Sequence, residues 1–163
     1  MGFYAGIGSR RTPDDVLDLM ERIAAQLSED GWTLRSGHAP GADQAFERGA
    51  GGRAEIFLPW QTFESGVRTD GFTYAEPRVA AYEIASEFHP AWNRCSRGAR
   101  MLHARNVHQI LGYNLDLPVD FVVCWTDGKG GTEQALRIAR HYDISISNLH
   151  DPDVRAEVEK WVA

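Results

Sequence analysis

The apolar positions of this chain fall into two rhythms. Short runs at Phe3 to Ile7, Trp32 to Arg35, Glu55 to Leu58, Asp120 to Trp125 and Ile144 to Ile146 have the length of buried strands. Between them apolar residues recur every three or four positions, the spacing of a helix with one buried face. Val16, Met20, Ile23 and Leu27 mark the first helix. Thr12-Pro13-Asp14-Asp15 opens it with a capping hydroxyl, a proline suited to the first helical position and two acids that complement the dipole. Gly31 supplies its stop. A short helix runs from Asp43 through Ala50, and helical patterns return over 78–88, about 92–111, 132–142 and 151–162. Strands alternating with helices predict an α/β chain. We read one Rossmann-like domain over 1–163, its mostly parallel sheet covered by helices on both faces.

The stretch 60–77 breaks the alternation. Trp60, Phe63, Phe72 and Tyr74 are mixed with Gly66, Asp70 and Gly71 without a clean period. Long loops inside compact domains are commonly functional, so this is read as a lid or an oligomer contact, with aromatic cover over a sheet edge as the plainer alternative. Residues 60–90 together are expected to form a variable insert or lid.

Three turns carry the candidate chemistry, each at the carboxyl end of an expected strand, where parallel sheets bind ligands. Asp127-Gly-Lys-Gly-Gly-Thr-Glu-Gln134 joins a strand to a helix. There the backbone N–H groups of Gly130, Gly131 and Thr132 and the positive end of the helix dipole make a seat for phosphate. Gly6-Ile-Gly-Ser-Arg10 offers Gly8, Ser9 and Arg10, although Arg11 stands where a dinucleotide fingerprint has its third glycine. Ser36-Gly-His-Ala-Pro-Gly-Ala-Asp43 offers Ser36, Gly37 and Gly41, and a carboxylate at Asp43 that either caps a helix or accepts ribose hydroxyls. A fourth element is basic: residues 91–110 hold Arg94, Arg97, Arg100 and Arg105 with no acid. On a continuous helix Arg94, Arg97, Met101, Arg105 and His108 share one face. Arg94, Arg97 and Arg100 read as solvated, and Arg105 as a phosphate clamp.

A formal charge of −6 disfavours a broad nucleic-acid-binding face. The two cysteines, Cys95 and Cys124, do not make a disulfide framework and fit a reducing compartment. The start Met1-Gly-Phe-Tyr-Ala-Gly6 lacks the basic and apolar regions of a signal peptide, and no run reaches membrane-spanning length, so a cytoplasmic location is expected. His103 and His108 are spaced poorly for joint ligation. Neither a metal nor a cofactor is expected.

Taken in order, these turns resemble the SLOG superfamily, which groups DNA-processing protein A (DprA/Smf), the Lonely Guy nucleotide hydrolases and nucleotide-ligand sensor domains. The resemblance rests on Gly6-Ile-Gly-Ser-Arg10 with Thr12-Pro13, on Ser36 to Asp43 with Ala45 and Gly49-Ala50, on His103-Ala-Arg105-Asn106, and on Gly130-Gly131-Thr132. It implies a nucleotide pocket with phosphate over Gly130-Gly131-Thr132, and it commonly implies a homo-oligomer. In the Lonely Guy enzymes an arginine and a glutamate help to hydrolyse the bond between base and ribose 5′-phosphate. Arg105 matches the arginine, but the pattern G-T-x-x-E falls on Ala135, leaving Glu133, Asp127, Asp43 or Glu87 to supply the carboxylate. The implied catalytic set is Glu133, Arg105 and Asp43. Three functions follow from the resemblance: a nucleotide N-glycosidase, a non-catalytic binder or sensor of a nucleotide-derived signal, and a single-strand DNA binder, the last disfavoured by net charge. In all three, replacing Arg105 by alanine is expected to weaken ligand binding and leave the fold intact.

Overall fold

A computed structural model describes residues 2–66 and 71–163. The strands are β1 (Phe3–Gly8), β2 (Thr33–Ser36), β3 (Ala54–Phe57), β4 (Phe72–Tyr74), β5 (Phe121–Trp125) and β6 (Ser145–Asn148). They form one all-parallel sheet in the order β4-β3-β2-β1-β5-β6. The helices are α1 (Asp14–Glu29), α2 (Ala42–Ala50), α3 (Val79–Phe88), α4 (Arg97–Leu111), α5 (Thr132–His141) and α6 (Pro152–Trp161). The expected Rossmann-like α/β architecture is observed.

The helical periodicity decides which face each helix covers. α1 buries Val16, Leu19, Met20, Ile23 and Leu27 on the side that also takes Phe46 of α2 and Val154 and Val158 of α6. Each large apolar side chain removed from water contributes roughly 1.5–3 kcal/mol. On the opposite side α3, α4 and α5 bury Ala81, Ala85, Val107, Ile110, Leu136 and Ile138. The central strands β1 and β5, covered on both faces, read as near-continuous apolar runs.

Some boundaries differ from the sequence reading, each for a local reason. The helix expected over 92–111 is interrupted: a 3₁₀ turn spans Trp92–Arg94, and α4 starts afresh behind Ser96, whose Oγ accepts from Ala99 N–H at 3.1 Å. Arg94 therefore lies outside the helical face proposed for it. Thr12 does not cap α1; its hydroxyl donates to Ser9 O at 2.6 Å, and Pro13 takes the cap position. The last strand is displaced to Ser145–Asn148.

Part of the stretch 60–77 is structured. Phe72–Tyr74 adds an edge strand to β3, and the Tyr74 ring stacks on Phe57 at 4.9 Å and on Tyr113 at 4.5 Å. Phe63 is buried and meets Trp60 edge-on at 5.3 Å. Phe72 and Tyr74 thus belong to the edge strand itself; residues 67–70 of the stretch lie outside the described residues. None of the described helices is long and apolar enough to cross a membrane.

From β1 the chain builds outward through β2, β3 and β4, then returns to place β5 on the other side of β1. The strand order thus reverses between β1 and β5. The loops leaving those two strands must diverge, and the crevice they leave at the carboxyl edge is where open α/β sheets hold ligands.

Candidate functional site: the cleft at the sheet's switch point

The loop after β1 is pinned from several directions. Ser9 N–H donates to Trp125 O at 3.1 Å, tying the loop to the end of β5. The Ser9 hydroxyl accepts from Arg11 N–H at 3.0 Å. Gly8 permits a close approach of α2: a Cβ there would lie 2.6 Å from Ala42 Cβ and 3.1 Å from Trp125 O.

The loop after β5 is held from the β6 side. Asn148 accepts from Thr126 N–H at 3.1 Å and donates to Thr126 O at 3.0 Å. The Thr126 hydroxyl accepts from Gly128 N–H at 3.1 Å. Gly128 and Gly130 both have φ +89°, which a side chain would strain, and this lets the loop fold back onto the start of α5. No side chain caps α5; Gln134 N–H donates to Gly131 O at 3.2 Å, and the N–H groups before it lie at the positive end of the dipole. Arg11 Nη2 reaches Asp127 Oδ1 at 2.7 Å and fastens the two loops together at their rim.

Between the loops lies a cleft of about 670 Å³, closed from the α4 side by Ala99, Leu102, His103, Arg105 and Asn106. Arg105 is buried among acceptors. Its Nη1 donates to the carbonyls of Gly37 and, at 3.5 Å, Phe57; its Nε donates to Asn106 Oδ1 at 3.0 Å. The guanidinium also lies 5.4 Å above the Phe63 ring. Burial lowers the Arg105 pKa to about 10, with Asp43 opposing the fall and Arg10 adding to it. Two guanidinium groups that repel each other across a cleft form a site that gains from an anion between them.

Asp43, in the first turn of α2, is the carboxylate of this cleft. It accepts from Ala39 N–H at 3.2 Å. Burial raises its pKa to about 6, even though the Arg105 charge and the backbone donors Ala39 and Gly37 pull it down.

The structure brings together Gly8, Ser9, Arg10, Asp43, Arg105, Gly130, Gly131 and Thr132 as lining of one cleft. Ser36, Gly37, Gly41, Asp127 and Glu133 do not line it. Ser36 Oγ donates to Gly6 O at 2.5 Å, and Gly37 O receives Arg105, so both hold neighbouring elements in place. Gly41, with φ +91°, turns the chain into α2. Asp127 sits on the rim in its ion pair. Glu133 lies outside the lining, its Oε1 3.7 Å from Arg140 Nη2. Helix geometry explains the difference, because the residue after Thr132 is turned roughly 100° away from it. The expectation that Arg105→Ala would spare the fold needs correction. Truncation would strip Gly37 O of its buried donor, so Arg105→Ala is expected to lower stability as well as affinity.

The sequence reading passed over Lys129, His103 and Gln109 as lining residues, and Arg11 as both lining and fastener. Lys129 was within sight, since it is the one cation inside the glycine-rich segment. Gln109 carried no local signal. His89, Cys95 and His103 were not associated with one another either; their ligand atoms all lie within 4.8 Å of each other.

No family model and no curated protein matches the chain. Solved structures do share its fold. DNA processing protein A from Helicobacter pylori, described by its single-stranded DNA binding mode, superposes with a TM-score of 0.61 at 18% identity, covering 91% of this chain and 64% of that one. The Moco carrier protein of Chlamydomonas rheinhardtii superposes with a TM-score of 0.53 at 14% identity, covering 90% of this chain and 74% of that one. This chain therefore spans less than two thirds of the DNA processing protein A chain. At such identities the likeness is one of fold.

Proposed function

We propose that the cleft binds a nucleotide or nucleotide-derived metabolite, its 5′-phosphate over Gly130, Gly131 and Thr132 and its ribose toward Asp43. The observation that carries this reading is the convergence of two strand-end loops at the switch point. It gathers the uncapped start of α5, the Ser9 hydroxyl, Arg10, Arg105 and Lys129 around one opening in a chain of net charge −6. Anionic ligands gain both hydrogen bonds and field from such a cluster. The SLOG resemblance agrees with it, and of the two solved proteins that share the fold one is described by its single-stranded DNA binding and the other as a Moco carrier.

A second reading, hydrolysis of the base–ribose bond, is favoured by Asp43. Cleavage of a glycosidic bond passes through an oxocarbenium-like state that a nearby carboxylate stabilises. Asp43 is buried, lines the cleft and has its pKa near 6, so one residue can face the developing charge or take a proton from water. Glu133 plays no part in this scheme. Arg105 then acts by setting the field at Asp43 and holding the Gly37 turn.

One experiment separates the readings. The protein is incubated with a panel of nucleoside 5′-monophosphates, with thermal unfolding and chromatography of the ligand followed in parallel. Stabilisation by an intact ligand supports binding alone. Release of free base that Asp43→Asn abolishes supports hydrolysis. A panel that neither stabilises the protein nor is cleaved, while short single-stranded DNA binds in a salt-sensitive way, would replace both with a DNA-binding function.

A further inference from the structure

Behind the phosphate cleft, where α3 gives way to α4, three side chains of ligating chemistry converge. His89 is the residue at which α3 ends, Cys95 follows the 3₁₀ turn, and His103 lies in the second turn of α4. All three are half-buried. Cys95 Sγ is 3.8 Å from His89 Nδ1 and 3.7 Å from His89 Nε2. The His89 and His103 rings have their centroids 4.5 Å apart. The geometry points to a binding site for a zinc-class divalent cation on Cys95, His89 and His103, a function separate from phosphate binding.

The spacing suits such an ion. With Zn–S near 2.3 Å and Zn–N near 2.0–2.1 Å, the sulfur–nitrogen edge of a tetrahedral site is roughly 3.5 Å. The Cys95–His89 separations are already close to that, so small side-chain movements close the site.

The surroundings of His103 prepare it as a ligand. Gln134 Oε1 lies 3.1 Å from His103 Nδ1. The buried Gln134 is oriented by its own bonds: its Nε2 donates to Ala85 O at 3.4 Å, and its Oε1 accepts from Asn106 Nδ2 at 3.5 Å. A carbonyl oxygen facing Nδ1 requires the proton there, which leaves the Nε2 lone pair bare. Ligating histidines are commonly fixed in this way by a polar partner on the other nitrogen.

His89 needs one exchange. Its Nδ1 now accepts from Ala91 N–H at 3.0 Å, so the cation replaces that hydrogen bond while Nε2 keeps its proton. Cys95 loses its thiol proton to solvent on binding, leaving two neutral imidazoles and one thiolate around the ion. No carboxylate belongs to the cluster, so hard cations such as magnesium and calcium gain little there, whereas borderline metals favour sulfur and imidazole. His103 also lines the phosphate cleft, placing the ion at its edge with a fourth position left for water.

Cobalt(II) makes the test spectroscopic. Chelator-stripped protein is titrated with Co(II), and a thiolate-to-cobalt charge-transfer band together with intense tetrahedral d–d bands is expected, displaced by added Zn(II). Cys95→Ser should abolish the charge-transfer band while leaving the circular dichroism and melting temperature of the metal-free protein unchanged. His103→Ala should weaken Co(II) binding at least tenfold. The proposal is overturned if the wild-type protein gives no charge-transfer band at saturating Co(II). It is equally overturned if the band survives in Cys95→Ser, since the sulfur would then be that of Cys124. Neither outcome bears on nucleotide binding, which is read separately by the monophosphate panel.

Discussion

Asp43 is where function and stability pull apart. A carboxyl group whose folded pKa stands at about 6 against an ordinary 3.8 binds its proton more tightly in the folded state than in the unfolded one. Folding therefore loses stability as pH rises from about 4 through 6, and the full cost is present above that window. The penalty amounts to at most about 3 kcal/mol. Replacing Asp43 by asparagine keeps an oxygen to accept from Ala39 N–H and removes the charge. The variant is expected to melt higher than wild type at pH 7.5, with the difference shrinking as pH falls and vanishing near pH 4. Thermal unfolding of both proteins across that range checks this. A destabilised variant at neutral pH would mean that the Arg105 attraction outweighs burial. Retention of a carboxylate that costs stability, at the wall of a cleft, is what a ligand-facing group looks like.

At the scale of elements, the loop after β5 and the first turn of α5 make a claim that two neighbouring glycines can test. Gly131 has φ −68°, and a Cβ added there meets nothing within 4 Å. Gly130 is as open but has φ +89°. Gly131→Val is therefore expected to cost less than about 1 kcal/mol of stability and to lower affinity for a nucleoside monophosphate at least tenfold, because its side chain occupies the anion seat. Gly130→Val should lose stability as well, about 1–2 kcal/mol from strain alone. Unfolding curves and titration calorimetry on both variants read the two effects apart, and unchanged affinity in Gly131→Val would move the phosphate elsewhere. These turns were legible in the sequence because their chemistry is local: glycine, a preceding apolar run and a following helical period suffice. β4 was not, since its three residues lie in a stretch without periodicity and are held by pairing with β3 and by the stacking of Tyr74 on Phe57 and Tyr113. The break before α4 could have been read from Ser96, a capping residue ahead of Arg97.

The whole molecule explains why the arrangement of strands was easier to foresee than the directions of side chains. Alternating runs determine a parallel sheet, and a parallel sheet whose order reverses must open between β1 and β5. Whether Arg105 faces a ligand or clamps Gly37 depends on how α4 crosses the ends of β2 and β3, and no spacing along the chain encodes that crossing. The same holds for His89, Cys95 and His103, which a helix end and a turn fold onto one another. The central claim, that one phosphate is held jointly by the loops after β1 and β5, is tested most directly by amide chemical shifts of the ¹⁵N-labelled protein titrated with a nucleoside 5′-monophosphate. The amides of Ser9, Arg10, Gly130, Gly131 and Thr132 are expected to move together and saturate with one affinity, while those of α6 stay still. Shifts confined to a single loop, or absent from both, would contradict it.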